Sequence, residues 1–271
     1  AVFQKTAEEL DPAACFAAST ASGFHGFCAP LAPLRRNLET RRSTWMDLLE
    51  EHAGLGVPVL TSDFDLIRNN QEDTSRALDE LAWMGDHAFT DLVVTLTQGA
   101  RSYQIDDQEY LMVLRAFKRI VERARSARVR LSLRLTPRHV ADGLPSADRI
   151  LKESRDESVL LSVDLHGMGG EGKIDGPVAV RYFASHLGFL EIDPADPQAP
   201  SFYAWMAAQP ATLFPREPTF LFRDSASAER SGTLLFQQLF GAPTKASKKA
   251  PEERKERRGE ARKKNADSFP Y

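Results

Sequence analysis

Polar residues that could carry out acid–base chemistry or hold a ligand stand at the ends of several apolar runs in this sequence. They are Asp63, Gln98, Arg134, Asp164, His166, Glu191 and Asp224, with Asp193 and Arg223 nearby. Carboxylates beside an imidazole can supply a general acid and a general base. The same side chains can hold a divalent metal through oxygen and nitrogen. Either chemistry requires a fold that brings these residues to one place.

The segment from Asp91 to His166 predicts such a fold. DLVVTL (91–96) is an apolar, β-branched run, a helical pattern follows over 107–127, and strand patterns occupy 128–135 and 159–166. Strands that alternate with amphipathic helices in this way predict a parallel α/β barrel. In such barrels the chemistry lies at the carboxyl ends of the strands. That is where these polar residues stand.

The alternation extends in both directions and predicts a (β/α)8 TIM barrel. Strand patterns occur at 24–31, 57–64, 91–96, 128–135, 159–166, 187–193 and 218–225, and an eighth strand would lie at or before 1–4. Helical patterns occur at 12–22, 42–53, 70–86, 107–127, 145–154, 178–185 and 228–240. The Pro- and Ala-rich stretch before the last strand is expected to be a loop. A doubly wound sheet is the rival architecture, but no Gly-rich phosphate loop follows the first strands.

Side chains alternate along a strand, so the sequence also predicts which of them enter the barrel. Ser162, Asp164 and His166 share one face of their strand and are expected to point inward. The same alternation turns Ser132 and Arg134 inward and the neighbouring leucines outward toward the helices. In the last strand it groups Asp224 with Phe220 and Phe222, and places Arg223 on the opposite face.

Length and composition are consistent with one barrel and a tail. With 271 residues and 42% hydrophobic content, the chain can bury a full core. We expect a barrel domain over 1–243 and a charged, disordered tail over 244–271. The two cysteines, Cys15 and Cys28, are expected to be buried free thiols.

Charge and hydropathy argue against two classes of partner, nucleic acid and the membrane interior. The tail is basic, so the body is acidic, which argues against nucleic acid as a partner of the folded domain. No apolar run is long enough for a membrane span. The first residue is Ala1, which allows a processed export product or a fragment, and a cytoplasmic location is favoured.

Two further features are expected to have no role in chemistry. The Gly-rich loop at 166–176 lacks the spacing of known phosphate loops, and we interpret it as a flexible surface loop. The remaining histidines are interpreted as ordinary surface or helix-cap residues. They are His25, His52, His87, His139 and His186.

The order of RVRLSLRL, VLLSVDLHGM and HLGFLEIDPADP resembles the layout of the xylose isomerase-like barrels, the sugar phosphate isomerase/epimerase superfamily, over most of residues 10–240. The resemblance implies a divalent metal (Mn, Mg, Co or Zn) that assists proton transfer beside a sugar carbonyl. The metal ligands would be Asp164, His166, Glu191 and Asp224. The catalytic residues would be Asp164, His166 and Glu191, and the substrate-binding residues Asp63, Gln98, Arg134 and Arg223.

The sequence departs from this family at Arg134, which stands where the family has a metal-binding Glu. An arginine there would repel a cation in a low-dielectric pocket. Three hypotheses therefore stay open: an isomerase or epimerase of a sugar or sugar acid with a shifted metal site, a barrel without catalysis that binds a carbohydrate or a protein, and a glycoside hydrolase-like barrel. The last would pair Glu191 with Asp164 or Asp63.

Overall fold

The structure is a computed structural model. It describes residues 2–4, 15, 19, 26–40, 47, 50–51, 59–97, 99–165, 167, 175–193, 196–215 and 218–222. Four candidate site residues lie outside these ranges, namely Gln98, His166, Arg223 and Asp224. The expected tail at 244–271, the helix at 228–240, and most of the Gly-rich loop and of the helices at 12–22 and 42–53 also lie outside them.

Eight parallel strands form a closed barrel in simple chain order. They are β1 (Val2–Gln4), β2 (Phe27–Pro30), β3 (Val59–Phe64), β4 (Asp91–Leu96), β5 (Arg130–Leu135), β6 (Leu160–Asp164), β7 (Leu187–Ile192) and β8 (Thr219–Phe222). Strand β1 closes the barrel, because it is hydrogen-bonded to β2 on one side and to β8 on the other. The predicted barrel and its eighth strand near residues 1–4 are confirmed, and the doubly wound alternative is wrong.

Helices follow most of the strands. They are α1 (Leu31–Thr40), α2 (Asn70–Asp86), α3 (Asp107–Ser126), α4 (Leu144–Ser154), α5 (Gly176–Tyr182) and α6 (Ala199–Ala207). Helix α3 is sharply delimited because the Asp106 carboxylate caps it and the Glu109 side chain bonds back to the Asp106 amide. None of the described helices is both long enough and apolar enough to cross a bilayer.

Two of these helices differ from the sequence-based expectation. Helix α6 occupies the Pro- and Ala-rich stretch that is predicted to be a loop, and α1 directly follows β2 where no helix is predicted. Both carry a proline in the first turn, Pro200 and Pro33. A proline there removes no hydrogen bond, because the first amides of a helix have no partner within it. Proline therefore marks the start of these helices instead of excluding them.

The barrel has a large apolar layer outside the sheet and a small one inside it. Leu131, Leu133 and Leu135 of β5 belong to the outer layer, packed with the helices. The inner layer consists of Cys28, Val59, Val93, Phe189 and Leu221. The inward side chains nearer the carboxyl ends of these strands include polar ones, and they line the mouth of the barrel. The predicted alternation of β5 is confirmed.

Strand β7 contains an irregularity that turns its upper half toward the interior. Leu161 pairs with Leu187 but Ser162 pairs with Phe189, so Gly188 is an extra residue. Leu187 lies in the outer layer and Phe189 in the inner one. The bulge at Gly188 thus reverses the alternation and brings Glu191 inside.

Candidate functional site

An ion pair crosses the mouth of the barrel between β5 and β7. The Arg134 guanidinium donates through Nη2 to Oε2 of Glu191. The other carboxylate oxygen of Glu191 accepts a hydrogen bond from Ser162 Oγ at 2.8 Å. The side chains are 19% exposed for Arg134 and 2% for Glu191. Glu191 is therefore held on both sides, and Arg134 is the partner that reaches the opening.

The environment keeps Arg134 charged. Burial disfavours the charged form, but the carboxylates of Glu191, Asp164 and Asp63 outweigh burial and raise the pKa of Arg134 above its ordinary value. Its Nε atom is buried and has no acceptor in the described part of the chain. One donor of a permanent cation thus remains unused, which is costly unless a ligand or water accepts it.

Asp164 ends β6 in a similarly buried position, with 1% of the residue exposed. Its Oδ2 accepts from Thr136 Oγ1 at 2.8 Å and its Oδ1 from the Gly167 amide at 2.9 Å. A Cβ atom on Gly167 would lie 2.5 Å from Asp164 Oδ2 and 3.0 Å from Pro137 Cδ. The backbone approaches this carboxylate closely enough that only glycine fits at 167.

His139 also belongs to the mouth, which contradicts its interpretation as an ordinary surface or helix-cap residue. Main-chain bonds from Gly99 N to Arg138 O (2.9 Å) and from Val140 N to Leu96 O (3.3 Å) hold its loop against the end of β4. Burial lowers the pKa of His139, and the charges of Asp63, Arg134, Asp164 and Asp142 also act on it. Its Nδ1 is buried without a partner among the described residues. A neutral imidazole therefore lies beside the carboxylates.

Two other titratable groups, Asp63 and Cys28, lie on either side of the Arg134–Glu191 pair along the barrel axis. Asp63, the next-to-last residue of β3, is exposed at the rim. Cys28 lies below as part of the inner layer. Burial raises the pKa of the Cys28 thiol well above its usual range, and Glu191 adds to the effect. Cys15 and Cys28 are both buried and in the thiol form, as predicted, and Cys28 contributes packing rather than a nucleophile.

The fold thus brings together the four predicted site residues that it describes, namely Asp63, Arg134, Asp164 and Glu191. On β8 the inward residue is Leu221, whereas Phe220 packs in the outer layer. Asp224, which the alternation groups with Phe220, lies outside the described residues. The signal that could have drawn attention to His139 is its place only a few residues after the strand that carries Arg134.

The described side chains do not fit a divalent cation. Within the ranges that the structure covers, no three His, Cys, Asp or Glu side chains are grouped as metal ligands. Glu191 is occupied by Arg134 and Ser162, and Asp164 by Thr136 and Gly167. A cation bound between Asp164 and Glu191 would also meet the Arg134 guanidinium, which repels it.

A cavity of about 260 Å³ lies between the ends of β6 and β7 and helix α6, at the same end of the barrel as the mouth but without Arg134, Asp164 or Glu191 in its lining. Its wall combines the rings of Phe202 and Trp205 with the carboxylates of Asp175 and Asp193. The Arg181 guanidinium lies over the Trp205 ring, 5.2 Å from its centroid. Aromatic faces beside hydrogen-bonding groups suit a ligand that is apolar on one side and hydroxylated on its edges.

No model of a known protein family matches this chain, and no curated protein matches its sequence. Solved structures do match. D-psicose 3-epimerase with D-tagatose from Clostridium cellulolyticum H10 superposes with a TM-score of 0.72 at 12% identity, over 89% of this chain and 98% of that one. A xylose isomerase domain protein from Planctomyces limnophilus gives 0.65 at 10% identity, over 89% and 97%. This chain has the xylose isomerase-like barrel fold.

A third structure with this fold is 3-keto-D-glucoside 4-epimerase from E. coli. It matches with a TM-score of 0.68 at 16% identity, over 86% of this chain and 98% of that one. The superpositions cover nearly the whole of the other chains, so the likeness in fold extends over the whole barrel. Identities this low establish the fold, and the chemistry has to be argued from the site itself.

Proposed function

We propose that this barrel binds a sugar or a sugar acid at its mouth and transfers a proton next to the carbonyl group, as an isomerase or epimerase. The observation that carries the proposal is the convergence of Asp164, Glu191, Arg134 and His139 at the carboxyl ends of β5, β6 and β7. Proton transfer beside a carbonyl needs a base for the carbon-bound hydrogen and a donor for the oxygen. The mouth contains both types of group.

His139 is the group that we expect to accept the proton. The lowered pKa leaves its imidazole neutral near pH 7, so one ring nitrogen can act as a base. In the proposed step the carbon–hydrogen bond next to the carbonyl breaks and a nitrogen–hydrogen bond forms on the imidazole. The electron pair moves through the new carbon–carbon double bond to the carbonyl oxygen. Return of a proton to the opposite face of the same carbon gives an epimer. Return to the neighbouring carbon, together with transfer of the hydroxyl proton to the former carbonyl oxygen, gives an isomer.

The adjacent cavity supports a sugar as the ligand. A pyranose or ketose has apolar ring faces that pack on aromatic side chains and hydroxyl edges that bond to carboxylates. Phe202, Trp205 and Asp193 offer these surfaces on the wall that continues from the end of β7. The structural neighbours include sugar epimerases, which agrees with this ligand class.

A barrel that binds a carbohydrate without converting it is the second candidate. The specific observation in its favour is the Arg134–Glu191 pair, which occupies a carboxylate that the reaction could otherwise use. A glycoside hydrolase is less well supported. It needs a carboxyl group that donates a proton, whereas both oxygens of Asp164 and both of Glu191 face hydrogen-bond donors.

Solvent exchange tests the proposal across a panel of sugars. The full chain is incubated in D2O with D-fructose, D-tagatose, D-xylose and D-glucuronate in turn, and NMR follows deuterium entry next to the carbonyl and any new sugar. We expect exchange with at least one sugar, lost in Asp164→Asn and His139→Gln. Glu153→Gln is the matched control, because Glu153 lies on the exposed side of α4 in a surface pair with Arg149.

Ligand-observed NMR on the same samples separates the candidates. Binding with exchange supports the isomerase or epimerase, whereas binding without exchange supports the second candidate. If no sugar in the panel binds or exchanges, the proposed function is wrong.

A further inference from the structure

We propose that the Arg134 guanidinium supplies the positive charge at the reacting carbonyl oxygen, so that the site needs no divalent cation. This inference rests on the proposed function and specifies how the oxygen would be stabilised. It departs from what the family resemblance implies, because that resemblance assigns the task to a metal. The proposal starts from the finding that the described side chains do not fit a divalent cation.

The position of Arg134 suits the role. It lies on the inward face near the carboxyl end of β5, at the level of Asp164 and Glu191, since Arg134 pairs with Ser162 in register and Asp164 pairs with Glu191. Its guanidinium is fixed from one side, because Nη2 bonds to a carboxylate that Ser162 also holds. A donor that is fixed before the ligand arrives costs little reorganisation during the reaction.

The unused donor of Arg134 provides the second argument. Nε is buried and has no acceptor among the described side chains and carbonyls. A guanidinium presents its N–H groups in a planar fork, so two neighbouring donors can bond to one oxygen or to a carboxylate. A ligand oxygen beside Nε would satisfy this orphaned group. The same fork could also bond to the carboxylate of a sugar acid.

Arg134 also carries its charge near neutral pH, because the surrounding carboxylates favour the charged form and raise its pKa. When the carbon next to the carbonyl loses its proton to His139, negative charge collects on the carbonyl oxygen. The guanidinium donates hydrogen bonds to that oxygen and keeps its own protons. When the proton returns to carbon, the electron pair returns with it, so no cofactor or co-reactant is needed.

If Arg134 only neutralised Glu191, its substitutions would have different effects from those expected of a residue that stabilises the carbonyl oxygen. Three variants distinguish these two roles. Arg134→Lys keeps the charge but loses the planar fork, and Arg134→Gln removes the charge. Arg134→Glu introduces a carboxylate next to Asp164 and Glu191 in place of the cation. Circular dichroism and thermal melting show whether each variant is folded.

The first measurement is deuterium exchange of D-tagatose, or of whichever panel sugar exchanges fastest, with and without EDTA. We expect the wild-type rate to be unchanged by EDTA and by added Mn2+. Arg134→Gln should lower the rate by about 100-fold or more, the loss typical of removing an oxyanion donor, and Arg134→Lys by about 10-fold, while both still bind the sugar. Loss of wild-type exchange in EDTA, or full exchange in Arg134→Gln, would overturn the inference.

The second measurement needs no activity. Electron paramagnetic resonance of added Mn2+ reports whether the ion is bound by the full chain. We expect no stoichiometric Mn2+ binding by the wild type and binding by Arg134→Glu, because the substitution removes the repelling charge and adds a ligand. Stoichiometric Mn2+ on the wild type would contradict the inference even if no sugar is found. Absence of any sugar binding, with the expected Mn2+ result, would instead refute the proposed function alone.

Discussion

Removing Arg134 and removing Glu191 should have unequal effects on stability, although the two form one ion pair. Arg134→Met leaves the Glu191 carboxylate, whose side chain is only 2% exposed, without its counter-charge. Loss of one partner from a buried pair costs about 3–5 kcal/mol, because the remaining charge stays out of water. We expect Arg134→Met to fall in that range.

Glu191→Gln should be milder, at about 1.5–3 kcal/mol, which is the net value of a hydrogen bond to a charged group. The amide oxygen can still accept from Ser162, and the Arg134 side chain, 19% exposed, can turn toward water at the mouth. In the double variant no charge is left stranded. Its destabilisation should therefore be about 2 kcal/mol smaller than the sum of the single effects, as expected for groups in direct contact.

Urea unfolding followed by circular dichroism measures these differences. At a slope of about 3 kcal/mol per molar urea, a loss of 3–5 kcal/mol moves the midpoint by about 1 M or more. The exposed pair of Arg149 and Glu153 provides the control, and Glu153→Gln should cost about 0.5 kcal/mol or less. Equal effects of the two single substitutions, or additivity in the double variant, would show that burial does not govern this pair.

Two further predictions concern the neighbours of the pair. Gly167→Ala should destabilise the protein by about 1–3 kcal/mol and shift the Asp164 side-chain resonances, since the new Cβ would lie 2.5 Å from Asp164 Oδ2; a silent substitution would refute the close approach. His139 has a folded-state pKa below its unfolded value, so the unfolded chain binds more protons as the pH falls below about 6.5. The free energy of unfolding should decline below that pH. In urea titrations, His139→Gln should make this decline less steep below about pH 6.5, and the loss of this titration should not change the free energy of unfolding at about pH 8. An unchanged slope in the variant would contradict the burial of the imidazole.

Much of the barrel can be predicted because its cause is local. Two-residue alternation in RVRLSLRL is enough to place Leu133 outside and Arg134 inside, and both positions are observed. The strand–helix order then fixes which ends of the strands meet, so the approach of Arg134, Asp164 and Glu191 follows. The boundaries of the long helices are predicted within a few residues for the same reason.

The features that the sequence analysis did not predict depend on interactions that the alternation of side chains does not reveal. His139 lies in a loop whose position is set by main-chain bonds to Leu96 and Gly99, and a pattern of side chains carries no information on such bonds. Helices α1 and α6 are missed because proline disfavours a helix in its interior, whereas here it stands in the first turn, where it is tolerated.

The extra residue in β7 limits how the barrel could be changed. Gly188 faces the same interior as Phe189, and a Cβ on it would lie 3.0 Å from Leu160 Cβ and 3.2 Å from Ser132 Oγ. Enlarging it therefore crowds the inner layer. Deleting it would leave Leu187 next to Phe189, one outside and one inside, which is the order of an ordinary strand. At this position the protein should tolerate losing a residue better than gaining a carbon atom, because an ordinary strand with Leu187 outside also keeps Phe189 and Glu191 on the inner face.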